Sequence, residues 1–187
     1  FVASNSSYAG GHKTRFSVVR YGNVMGSRGS VIPYFISLKE KKILPITDKR
    51  MTRFMITLEQ GVELVWHAFE DMVGGEIYVR KIPSIKIIDL AKVIAPNSKY
   101  KIVGIRPGEK LHEEMISSHD SHNTYEYSKY YKILPQINNR LQNKKQIKKG
   151  IKVLDGFSYR SNINNEWMNK TELLKWIKKN HKLIGKI

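Results

Sequence analysis

Three short stretches bring together residues with the types and spacing to do chemistry. The first, Arg20-Tyr21-Gly22-Asn23-Val24-Met25-Gly26-Ser27-Arg28-Gly29-Ser30, places three glycines, an amide and two guanidiniums within eleven residues. Glycines let backbone pass close to a ligand, and the N-terminus of a following helix favours an anion. The stretch therefore reads either as a phosphate- or nucleotide-facing loop or as an ordinary βα turn. The second, Asp48-Lys49-Arg50-Met51-Thr52-Arg53-Phe54, is a basic loop with an aromatic beside it. It is either a solvated surface turn or a device that brings Arg53, whose fork of donors matches phosphate, to an anionic or planar ligand. The third, Arg106-Pro107-Gly108-Glu109, is a tight turn at a strand end. On its own it reads as a structural Arg–Glu pair, worth little if exposed. His112, His119 and His122 follow, but His112-Glu113-Glu114-Met115-Ile116 lacks the second His of H-E-x-x-H, so no metal site is expected.

The elements that must position these groups alternate between strand and helix. Residues 15–20 form a β-branched and aromatic run that reads as a buried strand. Ser30 then sits where an N-cap belongs, with Val31, Tyr34, Phe35 and Leu38 at helical spacing to about residue 41. A short strand is expected over 43–47. Thr57 and Gln60 have capping-box spacing for a helix that buries Val62, Val65, Phe69 and Met72 and ends at Gly74-Gly75, leaving His67 at its surface or boundary. Residues 76–82 alternate as a strand. Ser84 can cap a helix with Ile85, Ile88, Ala91 and Ile94, stopped by Pro96, and 101–105 is a further strand. Residues 1–13 resemble a helix end running into a loop, and 137–150 a polar, basic linker. Beyond a turn-rich stretch over 152–167, Asn169 caps a last helix with Leu173, Leu174 and Ile177 on its apolar face and a solvated basic end at 178–182.

With 187 residues the chain can bury a sizeable core, and with no Cys it has no disulfide, thiolate nucleophile or Cys-based metal site. No apolar run is long enough to span a membrane and no leader pattern is present, so a cytoplasmic protein is expected. The net charge of +17 comes from 33 basic residues, most of them Lys spread along the whole chain. Such a balance suits a doubly anionic small ligand and RNA equally. The 138–187 segment could serve a basic nucleic-acid-binding module, but it has no signature of such modules and its aromatics are not interleaved with the Lys runs, so nucleic acid is not the expected partner.

The wording of the motifs narrows the choice. Val18-Val19-Arg20-Tyr21-Gly22-Asn23-Val24 followed by Gly26-Ser27-Arg28-Gly29-Ser30-Val31-Ile32-Pro33 resembles the extended short-chain dehydrogenase/reductases that act on nucleotide sugars. More closely, it is similar to the configuration-inverting UDP-N-acetylglucosamine 4,6-dehydratases of polysaccharide biosynthesis. Leu44-Pro45-Ile46-Thr47-Asp48 running into Arg50-Met51-Thr52-Arg53-Phe54, then Gly74-Gly75-Glu76-Ile77-Tyr78-Val79, then Gly104-Ile105-Arg106-Pro107-Gly108-Glu109-Lys110-Leu111-His112-Glu113, agree in the same order. The resemblance covers about residues 14 to 168 and the back half of that family only.

It implies an α/β fold: the C-terminal part of a Rossmann-like NAD(P)-binding core with a small α/β substrate-binding domain. Residues 1–41 would finish the core and carry the ligand loop, 42–136 would bind substrate, 137–150 would be a linker and 151–187 a C-terminal extension. Asn23, Val31, Arg53, Arg106 and Glu109 would hold the UDP-sugar, with Glu109 accepting sugar or ribose hydroxyls. Tyr21, Val24, Ser27 and Arg28 would lie at the nicotinamide end of NADP, with NAD the other candidate. The catalytic Tyr-x-x-x-Lys pair would fall just upstream of Phe1, and no G-x-G-x-x-G follows a strand, so no catalytic residue is assigned within the chain. Tyr125-Glu126-Tyr127-Ser128-Lys129 has the same spacing but lies a hundred residues late and runs into a strand. The expected product is a 4-keto-6-deoxy UDP-sugar, the full-length protein a homo-oligomer, and this chain by itself inactive. A nucleotide-sugar 4-epimerase of the same superfamily is the near alternative.

Overall fold

A computed structural model of the protein describes residues 14–135 and 145–180. The expected helix end over 1–13, most of the linker over 137–150 and the last residues of the basic helix end lie outside the described residues. In chain order the elements are β1 (Val18–Arg20), β2 (Asn23–Val24), α1 (Val31–Leu38), β3 (Ile43–Ile46), β4 (Thr52–Ile56), α2 (Leu58–Asp71), β5 (Ile77–Arg80), β6 (Ser84–Lys86), α3 (Ile87–Ile94), β7 (Lys99–Ile102), β8 (Glu114–Ile116), β9 (Thr124–Glu126), β10 (Tyr130–Ile133), β11 (Ile151–Lys152), β12 (Tyr159–Arg160) and α4 (Lys170–Lys179). The α/β reading holds. Among the described residues no helix is long and apolar enough to cross a membrane.

The chain forms two compact units, each built from three separated stretches. One comprises Phe1–Tyr21, Glu59–Lys81 and Glu114–Tyr159, the other Gly22–Leu58, Ile82–Glu113 and Arg160–Ile187. The stretch 1–41 contributes β1 to the first unit, and its glycine-rich turn and α1 to the second. Parallel strands force this, because a parallel pair needs a long crossover, and the intervening chain builds something else.

The first unit is a sheet in the order β1-β5-β10-β9-β11. β1 runs parallel to β5, Val18 opposite Ile77 and Arg20 opposite Val79, and the remaining pairs are antiparallel. α2 covers it, but not with the expected face. Leu64 and Ala68 are buried against Tyr78, Val19 and Tyr130; of the expected face only Met72 packs there, whereas Val62, Val65 and Phe69 are exposed, Phe69 by 64% with Trp66 at 62%. The helix carries two apolar stripes, and the one through Leu64 and Ala68 is the one packed on the sheet. At the helix C-terminus, where a carboxylate meets the negative end of the dipole, Asp71 accepts hydrogen bonds from Lys132, Lys148 and Tyr78. Burial works against its charge, but these donors hold its carboxyl down at about 2.

The second unit holds the three-stranded sheet β2-β4-β6 and the parallel pair β3-β7. Asn23 stands opposite Met55 in the parallel β2–β4 pair, and Phe54 opposite Ser84 in the antiparallel β4–β6 pair. Arg53 and Phe54 thus sit on a strand, not in the expected loop; the turn is confined to 48–50, where Asp48 accepts from the Arg50 backbone and guanidinium. Ser84 opens β6 instead of capping a helix, and α3 starts only at Ile87. The core packs Ile32 and Phe35 of α1, Leu44 and Ile46 of β3, Leu90 and Ile94 of α3 and Leu173 and Ile177 of α4. α4 begins as read, with a capping box between Asn169 and Glu172.

Candidate functional site

A cavity of about 420 Å³ opens in the second unit, and Asn23, Val31, Arg53, Arg106 and Glu109 all line it. Three elements and one loop bring them there. β2 delivers Asn23 because the chain can run directly alongside β4: a Cβ on Gly22 would stand 2.5 Å from the Phe54 Cβ and carbonyl oxygen, so only glycine permits the approach. Gly29, at φ +74, turns the chain into α1 and puts Val31 on the cavity wall. Ser30 occupies the N-cap position, and its carbonyl accepts from the Tyr34 amide, but its hydroxyl does not cap the helix. Among the described residues its Oγ is buried without a partner, on a residue that lines the cavity.

β4 supplies Arg53, whose side chain is only 11% exposed. Its Nη1 donates to the carbonyls of Thr52 (2.8 Å) and Leu111 (3.2 Å), and its Nε lies 3.4 Å from the Glu113 carboxylate. Nη2 stands 3.9 Å from Glu109 Oε1. All three guanidinium nitrogens therefore face protein acceptors. The loop between β7 and β8 supplies Arg106 and Glu109. The Glu109 amide donates to the Arg106 carbonyl, and the Arg106 amide donates to Glu109 Oε2 at 3.2 Å. Thr47 Oγ1 adds a 3.4 Å contact to Glu109 Oε1. Two guanidiniums, one carboxylate, an amide and the hydroxyl residues Ser30, Tyr34 and Thr47 thus share one wall system with apolar Val31, Phe35 and Ile87. A donor set of that kind can neutralise a diphosphate, accept from vicinal hydroxyls and cover a flat ring.

The other four residues singled out from the sequence are not in the lining. Val24 pairs with Ile56 on β2, Ser27 and Arg28 lie exposed in the turn before α1, and Tyr21 ends the first unit's opening stretch. One set of residues goes unread in the sequence: buried Thr52 and Ser161 and half-buried His112 are joined by hydrogen bonds next to Arg53. No spacing in the chain relates Ser161 to Thr52, so no sequence signal points to it. Burial and the Arg53 and Arg50 guanidiniums push the His112 imidazole below its ordinary range. No group of three or more potential metal ligands occurs among the described residues.

Comparison with known proteins extends what the geometry shows. A model of the polysaccharide biosynthesis protein family matches residues 1–135. The UDP-N-acetylglucosamine 4,6-dehydratase (inverting) of Campylobacter jejuni is 56% identical over 184 residues, which is 95% of this chain and 55% of that protein. The UDP-glucose 4-epimerase of Rickettsia bellii is 48% identical over 126 residues, covering 65% of this chain and 37% of that protein. The X-ray structure of Pen from Bacillus thuringiensis superposes with a TM-score of 0.81 at 34% identity, over 97% of this chain and 55% of that one. The chain spans about half the length of the first two of these, or less. With more than two thirds of its residues matched by the family model, the chain belongs to the polysaccharide biosynthesis protein family.

Proposed function

We propose that this chain is the substrate-holding part of a UDP-N-acetylglucosamine 4,6-dehydratase of the inverting kind, making a 4-keto-6-deoxy UDP-sugar for surface glycans in the cytoplasm. The observation that carries the reading is convergence: Asn23, Val31, Arg53, Arg106 and Glu109, spread over 87 positions, meet on one cavity. In this reading Arg53 and Arg106 take the diphosphate, Glu109 accepts hydroxyl protons from the ribose or sugar, and Asn23 orients the sugar-diphosphate. The inverting dehydratase relatives support it over most of the chain.

The cofactor of this reaction is NADP, which when bound accepts and returns a hydride. Ser27 and Arg28, both exposed on the turn before α1, offer a hydroxyl and a guanidinium that fit the ribose and phosphate next to a nicotinamide. The chain has no glycine-rich dinucleotide turn of the G-x-G-x-x-G kind and no Tyr-x-x-x-Lys pair in the place the chemistry needs. We therefore propose that the chain alone binds the sugar nucleotide without turning it over. A 4-epimerase is the second reading, supported by the Rickettsia relative over a smaller share of the chain. Product analysis by NMR separates the two, since only the dehydratase loses the C6 hydroxyl.

The test is calorimetry with UDP-N-acetylglucosamine. Arg106 lies exposed on its loop, so Arg106→Ala leaves the fold intact. A hydrogen bond to a charged group is worth about 1.5–3 kcal/mol, so its Kd rises by about 10- to 150-fold. Unchanged affinity in Arg106→Ala, or no preference of the wild type for the UDP-sugar over the free sugar, refutes the assignment.

A further inference from the structure

We propose that Ser161 is a positioning residue for the sugar-nucleotide cavity, acting through Thr52 on the strand and loop that present Arg53 and Glu109. The proposal rests on the sugar-nucleotide reading of the cavity and goes beyond it, because Ser161 does not line the cavity.

The loop between β7 and β8 carries Arg106 and Glu109 yet has no regular structure of its own over 103–113. Something must hold it. At its start the Val103 amide donates to the Ile46 carbonyl. At its far end the hold is Ser161, which is fully buried, as is Thr52 at 2%. The Ser161 amide donates to the Glu113 carbonyl at 2.8 Å, and the Glu113 amide donates back to Ser161 Oγ at 2.9 Å. The same Oγ stands 2.7 Å from Thr52 Oγ1, which stands 2.8 Å from His112 Nδ1. Thr52 also donates its amide to the Leu111 carbonyl at 3.1 Å, the carbonyl that Arg53 Nη1 reaches at 3.2 Å.

Two directions of donation are open to the set, and in both the Glu113 amide donates to Ser161 Oγ. The Ser161 hydroxyl donates either to Thr52 Oγ1, whose hydroxyl then donates to His112 Nδ1, or to the Thr52 carbonyl at 3.3 Å, with Thr52 Oγ1 donating to Ser161 Oγ and accepting from His112 Nδ1. A neutral His112 serves either, with its proton on Nε2 in the first and on Nδ1 in the second. Burial and the Arg53, Arg50 and Arg160 cations favour that neutral form, with Asp48 opposing. Every buried polar atom of the relay then has a partner, which is the condition for a buried network to specify one geometry. Arg53 is gripped from both sides of this seam: by Thr52 on its own strand and by Leu111 and Glu113 on the loop. A seam that opened by an ångström would let the guanidinium and Glu109 part, and binding falls steeply with such misplacement.

The test uses the full-length protein. Thr52→Val keeps the side-chain volume and removes the hydroxyl; Thr52→Ser keeps the hydroxyl. Thr52→Val is expected to raise the Kd for UDP-N-acetylglucosamine about tenfold, the worth of roughly 1.4 kcal/mol, and Thr52→Ser to stay within about twofold of wild type. Ser161→Ala should match Thr52→Val. In a double-mutant cycle with Arg53→Lys, the Thr52→Val penalty should shrink, because both changes act on the same grip. A merely structural role gives full additivity. Amide exchange of residues 109–113 without ligand is expected to accelerate about tenfold in Ser161→Ala, as the loss of a hydrogen bond worth roughly 1.4 kcal/mol implies. Wild-type affinity in both Thr52→Val and Ser161→Ala, or full additivity with Arg53→Lys, overturns the proposal while the cavity assignment stands. A wild type that binds no UDP-sugar overturns the cavity assignment instead, and the exchange measurement then decides whether Ser161 holds the loop.

Discussion

Removing the Asp71 carboxylate should cost more stability than any single surface change in the protein. Lys132 has no exposed side-chain surface, and its ammonium is bonded to Asp71 and to the Gln146 carbonyl at 2.8 Å. The faces of Tyr78 and Tyr127 lie 5.1 and 5.2 Å away. In Asp71→Asn that ammonium keeps a carbonyl and two rings but loses its counter-charge, and an uncompensated buried charge costs about 3–5 kcal/mol. Lys148, whose side chain is 56% exposed, adds less than about 1 kcal/mol of this. The carboxyl also leaves a signature in pH. Its folded pKa of about 2 lies below the ordinary 3.8. A depressed carboxyl stabilises fully above the unfolded value, and the contribution is lost as pH falls through the folded one. The wild type should therefore shed about 2 kcal/mol between about pH 4 and pH 2, and Asp71→Asn should lack that limb. Urea melts at pH 7 and across the acid range measure both. Lys132→Met placed on Asp71→Asn should recover part of the loss, since the stranded charge is gone. A cost below about 1 kcal/mol at pH 7, with the acid limb unchanged in Asp71→Asn, would falsify the view of Asp71 as the counter-ion of a buried lysine.

Two further outcomes test the packing. Gly22→Ala forces a methyl to within 2.5 Å of Phe54 backbone and Cβ, and overpacking of that kind costs about 1–3 kcal/mol or more; a thermal melt shifted by less than about a degree would show that β2 and β4 do not approach so closely. On α2, Leu64→Ala should cost about 2–5 kcal/mol and Val65→Ala less than about 0.5 kcal/mol, because Leu64 is buried and Val65 is 46% exposed. Equal costs at the two positions would mean that the helix is rotated and does not turn its Leu64 face to the sheet.

How far the sequence can be read depends on how local each cause is. Asn23, Arg53, Arg106 and Glu109 sit in short motifs whose glycines, proline and basic residues announce turns, yet the residues alone leave an ordinary turn as open as a ligand loop; the resemblance to nucleotide-sugar enzymes is what gathers them. Ser84 and the β4 strand mislead for a related reason. Ser84-Ile85-Lys86 looks like a cap followed by a helix because Ile87 to Ile94 follow immediately, while its strand conformation is set by pairing with Thr52 to Phe54, some thirty residues away. The face of α2 misleads differently. Val62, Val65 and Phe69 form a larger apolar stripe than Leu64 and Ala68, and periodicity finds both stripes without telling which of them Tyr78 of the sheet will cover.

The contrast between the two kinds of residue at the cavity has a physical basis. A group that meets a ligand must project from an element end, where turn chemistry writes itself into adjacent residues. A group that holds such a residue in place answers only to what folding brings beside it. Ser161 lies 109 positions from Thr52 and 48 from Glu113, and its neighbours Ser161-Asn162-Ile163-Asn164 look like any turn. Yet the residues that follow it fill the second unit's core through Leu173 and Ile177, which fixes the backbone at 161 and hence the seam between strand and loop. The C-terminal stretch thereby acts on the cavity without lining it: its apolar side chains set where Ser161 stands, and Ser161 sets where Glu113 and Thr52 meet.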